Sequence, residues 1–135
     1  MSKPIIWITG LSGSGKTTLG KEIYYQIREK GERVVFLDGD DLREIFLNAL
    51  GVENSFGNDI RLRLAKGYSK LCKLLSNQDL IVVISTISLF KEIHDWNRSN
   101  LQGYFEVYIK VPIQELKRRD SKQIYKRFEV GEIKN

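Results

Sequence analysis

The chain has 135 residues, of which 41% are hydrophobic and 29% are charged, and its formal net charge is +5. This length suits one domain with its own core, and no apolar run approaches the ~20 residues that a membrane-spanning helix needs. The lone Cys72 excludes an internal disulfide and a cysteine-built metal site, and the N-terminal apolar stretch is too short for a secretory signal, so we expect a cytoplasmic protein.

Hydrophobic patterning predicts strands that alternate with helices. Continuous apolar runs predict buried strands, and apolar residues three or four apart predict helices. In chain order we predict a strand over 5–9, a loop over 10–15, a helix over 17–30, a strand over 34–37, a short helix over 41–50, a long helix over about 59–75, a strand over 80–85, a helix over 93–101, a strand over 104–111 and a helix over 113–120. This order predicts an α/β fold, with a mostly parallel sheet covered by helices on both faces.

A glycine-rich segment, here called the phosphate loop, follows the first predicted strand. Residues 10–17 read GLSGSGKT and match the pattern G-x-x-x-x-G-K-[ST] at every fixed position. Lys16 is suited to reach the β and γ phosphates of a nucleotide, and the Thr17 hydroxyl is suited to ligate Mg²⁺. We therefore predict a three-layer P-loop kinase fold over 1–135 with ATP and Mg²⁺ as cofactors. The predicted ATP-binding residues in this segment are Gly10, Ser12, Gly13, Ser14, Gly15, Lys16, Thr17 and Thr18.

Two carboxylates follow the second predicted strand. Asp38 and Asp40 flank Gly39 and point the same way if the chain stays extended. Asp38 is then suited to hold Mg²⁺ through water, and Asp40 is suited to accept a proton from an acceptor hydroxyl. Arg43, one helical turn further on, suits a clamp on an anionic group of that acceptor. An alternative, structural interpretation is that Asp40 or Asp41 caps the following helix.

Positive charge is concentrated near the end of the chain. Residues 110–135 contain eight Lys or Arg and four Asp or Glu. Such a run is either a solvated helix face or a basic flap over bound phosphates, and we predict a basic lid over about 117–134. A basic chain also suits a nucleic-acid partner, but no base-stacking motif supports one, so we expect none.

These segments resemble the adenylylsulfate (APS) kinase family. The likeness spans most of the chain and rests on residues 10–18, on 37–40 with Arg43, on 84–90, and on the late segments 119–126 and 131–134. It implies transfer of the ATP γ-phosphate to the 3′-hydroxyl of adenylylsulfate, which gives 3′-phosphoadenylylsulfate for sulfate assimilation. A small-molecule nucleotide is then the partner, no membrane is expected, and a homodimer stays open.

The resemblance also implies roles for individual residues. Together with the motifs above, it makes Lys16, Asp38, Asp40 and Ser88 the predicted catalytic residues, with Thr17 and Asp38 at the metal. It implies that Arg119 lies near the ATP base and that Lys122 lies in the lid. The residues implied to bind the acceptor are Asp40, Arg43, Phe56, Arg61, Ile87 and Ser88. Ser88 stands where the family carries a serine that can be phosphorylated in some members. For Ser88 we favour a contact with the acceptor over a covalent role.

Three positions depart from the family pattern. Leu64 stands where the family has an asparagine that helps to bind the acceptor, Leu89 replaces a proline and Lys91 replaces an arginine. Two alternatives therefore stay open: a related kinase for another nucleotide, such as a cytidine diphosphate-linked compound, and a P-loop kinase for a small metabolite such as a sugar acid. Among residues outside the motifs, we predict core positions for Trp7 and Cys72.

Overall fold

The computed structural model of the chain describes residues 2–51 and 57–119. Within these ranges the elements follow the predicted order, and their bounds differ from the prediction by three residues or fewer. They are β1 (Ile5–Thr9), α1 (Lys16–Glu29), β2 (Val34–Asp38), α2 (Gly39–Leu50), α3 (Asn58–Ser76), β3 (Ile81–Thr86), α4 (Lys91–Asn100), β4 (Tyr104–Tyr108) and α5 (Ile113–Arg118).

The four strands form one parallel sheet in the order β2-β3-β1-β4. Successive residues of a strand point to opposite faces of the sheet, and the neighbours Trp7 and Ile8 of β1 are both 0% exposed. Helices therefore cover both faces, and the predicted α/β fold is confirmed. No helix among the described residues is long and apolar enough to cross a bilayer.

The main hydrophobic core lies between the sheet and helices α2, α3 and α4. Trp7 of β1 packs there with Leu47 of α2, Cys72 of α3 and Ile93 of α4. The core positions predicted for Trp7 and Cys72 are thus confirmed. The opposite face is covered by α1, which contacts β2 and β3.

The parallel register brings the carboxyl ends of three strands to one edge of the sheet. Asp38 at the end of β2 is opposite Ser85 of β3, and Ser85 is opposite Ile8 of β1. The phosphate loop begins directly after β1. Ligands bind at this edge in open α/β sheets, because the loops that leave the strands converge there.

Candidate active site

A cleft of about 370 Å³ opens at the carboxyl edge of the sheet. Its walls come from the phosphate loop, the start of α2, the first half of α3 and the loop after β3. The sequence-predicted residues that line it are Ser12, Gly13, Gly15, Lys16, Thr17, Thr18, Asp38, Asp40, Arg43, Arg61, Ile87, Ser88 and Arg119. Gly10 and Ser14 are buried beside this lining. Phe56, Lys122 and the lid beyond Arg119 lie outside the described residues.

The phosphate loop turns into α1 through a left-handed glycine. Gly15 has φ 100°, a conformation that side-chain-bearing residues rarely adopt, and it is the N-cap of α1 without any side-chain cap. The first turn of α1 contains no acidic residue. The positive end of the helix dipole faces the cleft with no acidic residue of its own in this turn, which suits a phosphate group. Lys16 crosses the loop, and its Nζ donates to the carbonyl oxygen of Leu11 at 3.1 Å.

The structure corrects the prediction for the two carboxylates. Helix α2 begins at Gly39, so the chain does not stay extended and Asp40 lies in the first helical turn. Asp38 is the N-cap, and its Oδ1 accepts the Asp40 backbone N–H at 3.0 Å. The prediction that Asp40 or Asp41 caps this helix is therefore wrong. A β-carbon on Gly39 would lie 2.8 Å from the Ser85 carbonyl oxygen, so the missing side chain lets the helix start this close to β3.

Thr17 and Asp38 form a hydroxyl–carboxylate pair on the loop side of the cleft. Thr17 Oγ1 donates to Asp38 Oδ2 at 3.4 Å. The described residues contain no cluster of three His, Cys, Asp or Glu suited to a metal ion. A cation held by this pair would take its other ligands from water and phosphate oxygens. Mg²⁺ binds in that way, with few protein ligands. Ser85 belongs to the same cleft, and its buried Oγ has no hydrogen-bond partner in the described part of the chain. These residues fit a hydrated Mg²⁺.

The far wall of the cleft carries two guanidinium groups. Arg43 Nη2 lies 4.0 Å from Asp40 Oδ1, and Arg43 is mostly buried. Burial, followed by the charge of Arg43, lowers the pKa of Arg61 from its ordinary value. Two partly buried cations that disfavour one another favour an anionic ligand between them.

Apolar and aromatic side chains lie beside the two arginines. Leu64, one helical turn after Arg61, is 8% exposed and lines the cleft. Burial raises the pKa of the neighbouring Tyr68 to about 12, so its phenol stays neutral at physiological pH. This wall therefore offers positive charge and an apolar surface, and Leu64 adds no hydrogen-bonding group.

The loop after β3, residues 87–90, completes the cleft and is here called the acceptor loop. Ile87, Ser88 and Phe90 line the cleft, and Ser88 is 7% exposed. Ser88 Oγ lies 2.8 Å from Thr86 Oγ1. The sequence reasoning missed Thr86 and Phe90. The place of Thr86 at the end of a buried strand is the signal that would have found it.

Arg119 lies at the lip of the phosphate loop. Its Nη1 is 3.5 Å from the Gly13 carbonyl oxygen, and its Nε donates to Glu115 Oε1 at 2.8 Å. Hydrogen bonds from Arg118 and Arg119 lower the pKa of Glu115 to about 2. Glu115 therefore stays ionised at neutral pH and orients the Arg119 side chain beside the loop.

The class of protein follows from this edge of the sheet. A parallel sheet that feeds a complete phosphate loop, with a carboxylate at the end of β2 beside the loop threonine, defines a P-loop kinase, an ATP-dependent phosphotransferase. The sequence model of the family described as adenylylsulphate kinase matches residues 2–135. The chain belongs to this family, and the resemblance seen in the sequence is confirmed.

Individual relatives agree with this assignment. The chain is 42% identical to the cytidine diphosphoramidate kinase of Campylobacter jejuni, over 97% of this chain and 74% of that protein. It is 36% identical to the adenylyl-sulfate kinase of Halothermothrix orenii, over 96% of this chain and 68% of that protein. Its structure is similar to that of the Mycobacterium tuberculosis APS kinase CysC in complex with AMPPNP and APS, with a TM-score of 0.84 and 32% identity, covering 98% of this chain and 77% of that one.

Proposed function

We propose that the chain transfers the γ-phosphate of ATP to a ribose hydroxyl of a second nucleotide, the acceptor. This acceptor carries an anionic group of its own. The observation that carries this proposal is the pair of cleft arginines, Arg43 and Arg61, in the same cleft as the phosphate loop. The phosphate loop binds the phosphates of ATP, and the two guanidinium groups bind the anionic part of the acceptor.

On the ATP side, the phosphate loop and the N-terminus of α1 bind the phosphates. Lys16 exchanges its bond to the Leu11 carbonyl for contacts with the β and γ phosphates, because a phosphate oxygen is the stronger partner for an ammonium group. Thr17 and Asp38 hold Mg²⁺, which neutralises charge on the phosphates. Arg119, beside Gly13, lies at the end of the loop where the nucleoside of ATP leaves the cleft.

On the acceptor side, Asp40 accepts the proton of the attacking hydroxyl. Its carboxylate stands in the first turn of α2, with Arg43 4.0 Å away to orient it. The backbone bond to Asp38 fixes where this turn begins. Transfer is direct, from ATP to the acceptor hydroxyl, so Ser88 contacts the acceptor and carries no phosphate.

Two nucleotide acceptors are candidates for this site. Adenylylsulfate, phosphorylated at its 3′-hydroxyl, is supported by family membership and by the similarity to the APS-bound kinase. Cytidine diphosphoramidate is supported by the 42% identity to the Campylobacter jejuni kinase. Leu64 counts against adenylylsulfate, because it stands where the family has an asparagine that helps to bind this acceptor. Leu64 cannot bond a base edge, and an unpaired polar group buried there costs about 1–3 kcal/mol. We propose the cytidine diphosphate-linked compound as the preferred acceptor and adenylylsulfate as the second.

A coupled ADP-release assay with a panel of acceptors tests this function. The panel contains adenylylsulfate, cytidine diphosphoramidate and a sugar acid, each at saturating ATP and Mg²⁺. We expect turnover with a nucleotide, and a raised acceptor KM in Arg43→Ala and Arg61→Ala. The matched control is Arg63→Ala, because Arg63 is an exposed arginine of α3 that does not line the cleft. Turnover with the sugar acid alone would refute the nucleotide acceptor and leave the kinase assignment intact.

A further inference from the structure

We infer that His94 is a positioning residue for the acceptor loop, an inference that rests on the proposed function for the role of that loop. His94 lies in the second turn of α4 and does not line the cleft itself. Its Nε2 lies 2.9 Å from the carbonyl oxygen of Ser88.

Within residues 2–51 and 57–119, three side-chain hydrogen bonds hold the acceptor loop. Thr9 of β1 donates to the Ile87 carbonyl at 2.9 Å, and the Thr86 and Ser88 hydroxyls lie 2.8 Å apart. The bond from His94 to the Ser88 carbonyl is the third. Thr9 and Thr86 belong to neighbouring strands of the sheet. At the end of the loop, the Phe90 carbonyl accepts the backbone N–H groups of Ile93 and His94 of α4. The His94 side chain adds a contact at Ser88, two residues earlier in the loop.

The chemistry of this contact fixes the role of Nε2. A carbonyl oxygen only accepts hydrogen bonds, so Nε2 carries the proton and donates it. The other nitrogen, Nδ1, lies 3.8 Å from Oε1 of Glu106 on β4, which is too far for a hydrogen bond. Glu106 accepts from the Tyr104 hydroxyl at 2.8 Å and pairs with Arg98.

These contacts connect His94 to the binding of the acceptor. Ile87 and Ser88 contact the acceptor in the proposed function, and the His94 bond holds the peptide between Ser88 and Leu89 in one orientation. A loop fixed before the acceptor arrives loses less entropy on binding. Loss of the bond therefore weakens acceptor binding. ATP binding is spared, because the phosphate loop is held by its own glycines and by α1.

Three variants separate the hydrogen bond from simple packing. His94→Gln keeps an N–H donor near the position of Nε2, whereas His94→Leu keeps the volume and removes the donor. His94→Asn places its amide near Nδ1, too short to reach Ser88, and serves if the leucine variant does not fold. The control Glu92→Gln lies on the same helix as His94 and breaks an exposed ion pair with Lys66 of α3.

We expect His94→Leu and His94→Asn to raise the acceptor KM by about 3- to 10-fold, the worth of one hydrogen bond, with the KM for ATP unchanged. His94→Gln and Glu92→Gln should resemble the wild type. An equal loss in the leucine and glutamine variants, or none in either, would overturn the inference.

Hydrogen exchange over residues 87–90 without any nucleotide gives an independent readout. Exchange should be faster in His94→Leu than in His94→Gln, and equal exchange in the two would refute the positioning role even where no acceptor is known. If the wild type phosphorylates no nucleotide but the two variants still differ in exchange, the proposed function is refuted and the positioning role of His94 is not.

Discussion

The Thr17 hydroxyl lies 3.4 Å from Oδ2 of Asp38, which ties the first turn of α1 to the end of β2. The other carboxylate oxygen of Asp38 caps α2 by accepting the Asp40 backbone N–H. The Asp38 side chain therefore caps α2 and also faces the phosphate loop. Its orientation is fixed by the fold before any ligand binds, which is the preorganisation that phosphoryl transfer requires.

The first prediction concerns the metal. Thr17→Val and Asp38→Asn should raise the Mg²⁺ concentration needed for half-maximal activity, because each removes an oxygen suited to the hydrated cation. Asparagine is as good an N-cap as aspartate, so Asp38→Asn should leave the melting temperature nearly unchanged. A Mg²⁺ titration with parallel thermal melts tests both points. Asp41→Asn, an exposed carboxylate in the same helical turn, is the control. A normal Mg²⁺ requirement in both variants would place the metal elsewhere.

The second prediction concerns Lys16. Lys16→Ala should abolish phosphoryl transfer and weaken ATP binding, because the ammonium group stabilises charge on the moving γ-phosphate. Calorimetry with a non-hydrolysable ATP analogue measures the binding, and ADP release measures the transfer. Lys21→Ala, an exposed lysine of α1, should behave as the wild type. Wild-type turnover in Lys16→Ala would exclude the role of this lysine.

The third prediction concerns Asp40. Asp40→Asn should lower kcat by about 10²–10⁴-fold, because the amide cannot take the proton of the acceptor hydroxyl. The KM for ATP should change little, since Asp40 stands on the acceptor side. Steady-state kinetics at saturating Mg²⁺ checks the split. If Asp38→Asn is the more damaging change under these conditions and Asp40→Asn is near normal, the two roles are exchanged.

The fourth prediction concerns the choice of acceptor. Leu64→Asn should raise kcat/KM for adenylylsulfate relative to cytidine diphosphoramidate, because the new amide can bond a base edge. Leu64→Ala removes the side chain without adding an amide and is the matched control. The ratio of the two kcat/KM values is the measurement, since it cancels any common loss of stability. An unchanged ratio in Leu64→Asn would show that Leu64 does not determine the acceptor.

The fifth prediction concerns pH and the thiol of Cys72. Burial raises the pKa of Cys72 from 9.0 to about 12. The unfolded chain therefore releases this proton at lower pH than the folded chain does. The contribution of the Cys72 thiol to the free energy of unfolding is complete below pH 9, and it is lost as the pH rises through 12. The unfolding free energy of Cys72→Ala should fall less steeply over this interval than that of the wild type. Parallel slopes would contradict the assigned burial effect.

Strand patterning was predictable where burial alone decides it. The run from Ile5 to Thr9 forms β1 with the expected bounds, because a strand buried on both faces is continuously apolar. Strand β4 ends at Tyr108, short of the predicted residue 111, since its partner β1 ends at Thr9. Pairing sets that boundary, and pairing between distant strands is not visible in local sequence.

In the candidate site, too, local motifs were predictable and features that depend on packing were not. The phosphate loop is a local motif, and most of its residues line the cleft: Ser12, Gly13, Gly15, Lys16 and Thr17. The start of α2 was missed, because an Asp-Gly-Asp segment is compatible with either an extended chain or a capped helix, and the close approach of Gly39 to Ser85 decides between them. The contact between His94 and Ser88 was also missed, since it depends on the path that residues 87–90 take into α4.

Transfer of labelled γ-phosphate from ATP to a purified nucleotide acceptor tests the central proposal most directly. With Mg²⁺ present, we predict that label moves to cytidine diphosphoramidate and, at lower kcat/KM, to adenylylsulfate. For adenylylsulfate, an analogue that lacks the 3′-hydroxyl should accept none. Label that appears only as inorganic phosphate, or only on a sugar acid, would contradict a nucleotide kinase.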